Sequence, residues 1–412
     1  MGGIHIPDIG APDELEHVSY VQFLLDGKGL PVLDPDHPNA GAGYQSHQPP
    51  LFYFIEAGVS KLTGQSDLST KSAGLILRAT NVLIGCSTVA GVFFLGFWGY
   101  GKKEVGLAAA AFLALLPMNL ALSGAVSNDP LLFSLCTWSL AVAALGMRQG
   151  WGVKRAAILG VLLGLAMLTK TTAAALVPAV LLGILISKNR PNYRQLSVGI
   201  FFALLLVAPW WVRNQSLYGD PFAMKAFNLA FKASPTRASI HKEWGDYVGL
   251  EFLLTRNSFI GAFGYMDIFL PQALINLAAF VLAVMAAGGI VALRKPGMKE
   301  SRGVTTANIA FILLILLSYI AFNVRFFQAQ ARYLFPALGP ICVGFGLGLV
   351  TFGRERWKQS FIAFSIMLTV LNLWIVTQFL PGEFSARALP TGNTINRAAD
   401  KNFFTVLTVL VT

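Results

Sequence analysis

Residues 305–323 read TTANIAFILLILLSYIAFN, nineteen positions without one charged side chain. Wound as a helix at 1.5 Å per residue, such a run crosses about 30 Å, the hydrocarbon thickness of a bilayer. Comparable apolar runs occupy 78–100, 105–126, 129–148, 155–170, 171–187, 195–214, 270–293, 332–352 and 358–379. The sequence thus predicts an all-α polytopic membrane protein with about ten crossings. Composition agrees: 55% of residues are hydrophobic and 12% charged, and the mean hydropathy is +0.61, outside the range of soluble domains. Pro117 and Asn119 in the second half of 105–126 predict a bend or break there. The runs 155–170 and 171–187 are short for spans, and Lys170 marks their junction.

The formal charge of +11 raises nucleic acid as a partner, and its distribution removes that reading. The short loops 101–104, 148–155, 188–195, 294–304 and 353–359 are rich in Lys and Arg and carry only Glu104, Glu300 and Glu355 as acids. Under alternating topology they fall on one side, which is the cytoplasmic side by the positive-inside rule. The division that follows is an outer-face segment 1–77, a transmembrane core 78–214, an outer-face loop 215–269, further transmembrane helices 270–379 and an outer-face tail 380–412. That sign order expects a crossing helix ahead of the first segment. Within it, residues 49–64, PPLFYFIEAGVSKLTG, are apolar but short and are interrupted by Glu56 and Lys61, the pattern of an interfacial helix that starts at a proline pair. Cys86, Cys136 and Cys342 lie in apolar runs with no metal or disulfide spacing and read as small buried hydrophobes.

Four polar clusters share the outer face. In APDELEHVSY, residues 11–20, a helix would set Asp13 and His17 on one side at i and i+4 with Glu14 turned away; acids in a first turn are also ordinary helix-start chemistry. YQSHQPPLFYF, 44–54, brings His47 and Gln48 before the prolines. In SGAVSNDPLLF, 123–133, Asn128 and Asp129 precede Pro130, where a cap explains them and a carboxylate at the membrane boundary also marks function. APWWVRNQSLYGDPF, 208–222, sets Arg213 among Trp210, Trp211 and Tyr218, either as a snorkelling residue in an aromatic belt or within reach of a lipid headgroup.

Lys170, Arg213 and Arg332, the last beside Tyr333 and with Arg325 one loop away, come from distant parts of the chain to the same rim. Basic groups gathered there suit a lipid phosphate or pyrophosphate, and an outer acid can deprotonate an acceptor hydroxyl. Together they describe sugar transfer from a lipid-phosphate donor. Proton-coupled or lipid-linked transport competes, although transporters place charges near the midplane and show repeats. Carboxylate plus imidazole at Asp13, His17 and His47 is also an acceptable ligand set for a divalent metal.

The segments PDELEHVSYVQFLLDGKGLPVLDP, YQSHQPPLFYF, LSGAVSNDPLLF, LTKTTAAALVPAVLL, WWVRNQSLYGDPF and ARYLFPALGP resemble, in order, the landmarks of membrane glycosyltransferases of the GT-C fold. The resemblance is to glycosyltransferase family 39-like bacterial proteins, relatives of protein O-mannosyltransferases and lipid-A aminoarabinose transferases, and to the DUF2142 membrane proteins. It covers residues 7 to about 350. It implies a polyprenyl-phosphate donor of a hexosyl or pentosyl group, a protein, lipid or glycan acceptor, an inverting mechanism, and a site on the periplasmic face of a bacterial inner membrane. By that resemblance Asp13 is the general base, with Glu14 as its substitute, and Asp129 supports the acceptor. Lys170, Arg213 and Arg332 contact the lipid phosphate, and His47, Gln48, Asn128 and Tyr333 complete the binding set. Gln48 stands where relatives carry a basic residue. A catalytically inactive relative that binds lipid is the remaining expectation.

Overall fold

The computed structural model describes residues 11–38, 42–240 and 243–387. The start of the outer segment (1–10) and most of the expected tail (388–412) lie outside them. Ahead of the first long apolar helix stand α1 (Glu14–Leu25) and α2 (Leu51–Leu62). The long helices follow as α3 (Lys71–Tyr100), α4 (Lys103–Leu115), α5 (Pro117–Ser123), α6 (Asp129–Gln149), α7 (Val153–Met167), α8 (Leu176–Ile186) and α9 (Tyr193–Tyr218). The segment 219–271 carries α10 (Met224–Ala230), α11 (Arg237–Ile240) and α12 (Trp244–Ile260), then one antiparallel pair, β1 (Ala262–Phe263) with β2 (Ile268–Phe269). Helices α13 (Gln272–Leu293), α14 (Arg302–Arg325), α15 (Leu338–Gly353), α16 (Trp357–Trp374) and α17 (Leu380–Arg387) complete the chain.

Six helical stretches among the described residues are long and apolar enough to span a membrane, and the bent pair α4–α5 makes a seventh. The longest, 331–384, covers two of the ten apolar runs expected from the sequence, and the two short runs form α7 and α8, which fall below the length of a span. The break between α4 and α5 turns the axis by 65°. Pro117 opens α5 without an N–H to give, and Asn119 Nδ2 donates to the freed Leu113 carbonyl at 3.1 Å.

Helix α6 is the axis of the bundle, with seventeen of its 21 residues buried. It packs on α3, α7 and α8, while α15 lies against α4 and α13. Glycines make these approaches possible: a Cβ at Gly160 of α7 would stand 2.1 Å from the Gly199 carbonyl oxygen of α9, and one at Gly348 of α15 would stand 1.8 Å from that of Met285 in α13. Cys136 and Cys342 are buried, but Cys86 is exposed on the apolar surface of α3, which corrects the expectation for that residue.

Basic loops gather at one end of the bundle. Arg148 reaches Glu300 at 3.3 Å and Ser301 at 3.4 Å, and Asn189 donates to the Met147 and Arg148 carbonyls at 3.0 Å. Helices α6, α7, α14 and α15 run from this end to the opposite one, where α1 and α2 lie. Helix α2, expected to rest on a lipid surface, packs Phe52, Tyr53, Glu56 and Ser60 against α1 and α3, leaving Phe54 and Leu62 exposed. Glu56 is fully buried and its carboxyl oxygens have no hydrogen-bond partner. Burial pushes its carboxyl up to about 8.

Candidate functional site

At the end away from the basic loops, a cavity of about 530 Å³ opens between the first segment, the starts of α6 and of the 331–337 turn, the end of α7, and α10. Nine residues singled out from the sequence line it: Asp13, His17, His47, Gln48, Asn128, Asp129, Lys170, Arg332 and Tyr333. Two do not. Glu14 points the other way, into the protein, and Arg213 is turned toward the first loop.

Each polar group is placed by a local feature. Asp13 is the residue just before α1 and has left-handed backbone angles (φ 62°). It is therefore not on the helix face with His17, although its carbonyl accepts the His17 N–H at 3.0 Å. Asp129 sits in the first turn of α6 with Pro130 behind it, where the helix dipole favours a carboxylate. Asn128 does not cap that helix; its amide donates to Gln48 Oε1 and to the Thr169 carbonyl, both at 3.4 Å. Lys170 follows the end of α7 in extended backbone. Arg332 lies in a 3-10 turn, Ala331–Ala337, held by the Ala331 N–H donating to Ser258 Oγ of α12 at 2.9 Å.

These placements build a charge quartet. Arg332 Nη2 donates to Asp13 Oδ2 at 2.8 Å, and its Nη1 stands 4.0 Å from Asp129 Oδ2. Lys170 Nζ donates to Asp129 Oδ1 at 2.8 Å. Tyr333 lies under both cations, 5.1 Å from the Arg332 guanidinium and 5.8 Å from Lys170 Nζ, and donates its hydroxyl proton to Gln328. The two acids differ in access: the Asp13 side chain is 27% exposed, those of Asp129 and Glu14 4% each. Burial works to raise the Asp13 carboxyl, but Arg332 and the neighbouring cations hold it below the ordinary aspartate value.

Both histidines are neutral at pH 7, because burial pushes each down to about 4. His17 Nδ1 shares a proton with the Tyr53 hydroxyl at 2.9 Å. His47 donates from Nδ1 to the Tyr44 carbonyl at 3.1 Å, which leaves Nε2 to accept from Gln48 at 3.0 Å. Its ring packs on Phe227 and Phe231, part of an apolar wall that continues through Phe222, Phe322 and Phe326.

The structure revises three expectations. Glu14 makes a two-pronged ion pair with Arg78 of α3 (2.8 and 2.9 Å) and accepts the Val126 N–H at 2.9 Å. A buried carboxylate so occupied anchors α1 to the bundle and cannot stand in for Asp13. Arg213 donates to the Leu30 and Pro31 carbonyls at 3.3 and 2.7 Å and stacks on Trp210 at 4.9 Å, so it shapes the first loop rather than facing a phosphate. As for a metal, no group of three or more His, Cys, Asp or Glu among the described residues comes together to hold one. The two carboxylates at hand are already matched by two cations, so a dication does not fit this donor set. One residue escaped the sequence reading: Arg78, whose signal was a basic residue at the edge of an apolar run. Arg325, noted one loop away from Arg332, also lines the cavity.

A family model described as "Predicted membrane protein (DUF2142)" matches residues 38–339. The chain belongs to the DUF2142 family. Among solved structures, ArnT from Cupriavidus metallidurans bound to undecaprenyl phosphate is similar over 99% of this chain and 67% of its own, at 14% identity and a TM-score of 0.60. The oligosaccharyltransferase of Archaeoglobus fulgidus, tethered with an acceptor peptide containing the NVT sequon, is similar over 97% of this chain at 14% identity and a TM-score of 0.58. The same archaeal enzyme, AglB, in complex with an inhibitory peptide and a dolichol-phosphate gives 14% identity and a TM-score of 0.50. This DUF2142 chain spans 55–56% of the archaeal enzyme's length. At such identity the likeness shows the fold, which is the GT-C fold of membrane glycosyltransferases. A search of curated proteins finds no match.

Proposed function

We propose that this protein is an inverting glycosyltransferase that moves a sugar from a polyprenyl-phosphate donor to an acceptor hydroxyl on the outer face of a bacterial inner membrane. The observation that carries the reading is Asp13: among the acids of the quartet, it alone combines ionisation with substantial exposure to the cavity. The acceptor oxygen attacks the anomeric carbon from the face opposite the phosphate. As the new C–O bond forms, its proton becomes acidic and passes to Asp13, which Arg332 keeps in place and ionised. The bond to the phosphate oxygen breaks through an oxocarbenium-like transition state. Polyprenyl phosphate leaves already charged, so no general acid is needed, and the cations of the rim offset the charge it gathers. Asp129, buried with Lys170, positions that cation and the start of α6. The undecaprenyl phosphate and dolichol-phosphate bound by the structural neighbours support a lipid phosphate as the donor class.

The test is transfer from polyprenyl-phosphate sugars by the purified protein in lipid. Asp13→Asn is expected to reduce the rate by about 10²–10⁴, the range for loss of a general base, with unchanged expression and folding. Undiminished transfer in that variant would remove Asp13 as the base. Uptake of substrate into vesicles that persists in the variant would favour transport instead.

A further inference from the structure

A sugar brings hydroxyl groups to the cavity, and some sugars bring an ammonium as well. The lining treats the two differently. Asp13 and Asp129 are the acids among the described residues that line it, and each already holds a cation at 2.8 Å. Against them stand three lining cations, Lys170, Arg325 and Arg332. His17 and His47 add no charge at pH 7, because burial pushes both down to about 4. An amine on the sugar would meet surplus positive charge, or would occupy Asp13, the proposed base. In the uncharged part of the lining, one amide has a single possible orientation. His47 Nδ1 lies 3.1 Å from the Tyr44 carbonyl oxygen, which can only accept, so that nitrogen carries the ring proton. Nε2 of the neutral ring is then an acceptor, and the Gln48 group 3.0 Å from it is the NH2. Gln48 Oε1 in turn accepts from Asn128 at 3.4 Å, and Asn128 also donates to the Thr169 carbonyl at 3.4 Å. A backbone carbonyl at each end fixes the direction of this chain of bonds. Phe227 and Phe231 hold the His47 ring, with ring centroids at 4.9 and 6.0 Å.

We propose that the cavity selects an unaminated sugar and that the Gln48 amide binds one of its hydroxyls. This deepens the transferase reading above and rests on it. Gln48 is half-buried on the cavity wall, and its bonds to His47 and Asn128 use one N–H and one lone pair. One N–H and one lone pair of the amide remain. A hydroxyl both donates and accepts and so answers the two together; an ammonium only donates and is repelled by the N–H. Asn128 precedes Asp129 in the chain, and Thr169 precedes Lys170. The same bonds therefore tie the amide to the Lys170–Asp129 pair, beside the cations that offset the leaving phosphate. Gln48 touches the transferred sugar and sets which sugar is used, through kcat/KM, while Asp13 keeps the chemistry.

Transfer by the full-length wild-type protein in lipid, from a panel of undecaprenyl-phosphate sugars, tests the class of sugar without any substitution. Each neutral hexosyl or pentosyl donor is paired with the counterpart in which an amine replaces a hydroxyl. The neutral donors are expected to exceed their aminated counterparts by about tenfold or more in kcat/KM, as a poorly matched charged group requires. Equal or faster use of an aminated counterpart would overturn the proposal and leave the transferase reading intact. Absence of transfer from every donor would overturn the transferase reading itself. Deoxy donors then test the residue. The wild type is expected to lose about three- to tenfold for the donor that lacks the bound hydroxyl, and Gln48→Leu to show no such penalty. Each penalty is a ratio within one preparation, so partial misfolding of the variant does not alter it. The same penalty at every position in Gln48→Leu as in the wild type would overturn the role of Gln48.

Discussion

Asp13, the proposed base, shows how a neighbour sets the ionisation of a carboxylate. Its carboxyl is held below the ordinary aspartate value of 3.8 by Arg332 and nearby cations, against the pull of burial. It therefore stays ionised as the pH falls from 8 to 5, and the rate of transfer is expected to be level across that interval, failing only in strong acid. His17 is neutral throughout the same interval. An acidic limb with its midpoint between pH 6 and 7 would assign the base to a histidine instead of Asp13. The residue types of this cavity were legible in the sequence, since acids and bases at run boundaries have few reasons to be there. Their pairing was not. Glu14 and Asp13 are adjacent, yet one turns toward Arg78 and the other toward Arg332, because a single residue of left-handed backbone sends their side chains apart. Arg213 and Arg332 both end up near the same rim, and only helix rotation decides which of them faces the cavity.

At the scale of the element, the apolar runs fixed most of the helices to within a few residues, and Pro117 correctly marked the broken one. Helix α2 was harder to read, because its burial depends on α1 and α3 rather than on its own pattern. Glu56 is the sign of that. Its carboxyl is raised from 4.5 to about 8 by burial, so its contribution to stability is complete below pH 4.5 and is lost as the pH rises through 8. Glu56→Gln keeps the shape and removes the ionisation. The variant is expected to melt higher than the wild type in detergent, with a gap that widens from pH 6 to pH 9. A gap that is constant with pH would mean that Glu56 finds a partner in solution.

Across the whole molecule, the basic loops meet at one end and the charge quartet at the other, so each long helix carries the chain between two chemically opposed surfaces. The division of loops by sign was readable from the sequence because topogenic charge is a one-dimensional signal; the 530 Å³ cavity was not, since it is assembled from six separated segments. The orientation is open to measurement with a membrane-impermeant maleimide in a background where Cys86, the exposed cysteine, is replaced. A cysteine at Asp36 is expected to label in intact cells, and one at Lys188 only after permeabilisation. The reverse order would turn the protein over and place the cavity in the cytoplasm.

The left-handed turn at Asp13 also bears on how this family can change over evolutionary time. At φ 62° a side chain with a branched or bulky Cβ is strained, while Asp, Asn and Gly are tolerated. In the genetic code, asparagine and glycine are each a single base change from aspartate. The substitutions that mutation reaches most readily at this position, Asp13→Asn and Asp13→Gly, are thus the ones the backbone accepts without complaint, and both delete the carboxylate. If the proposed transfer is this protein's reaction, a lineage released from selection on it would lose it here first while still inheriting the cavity and the fold.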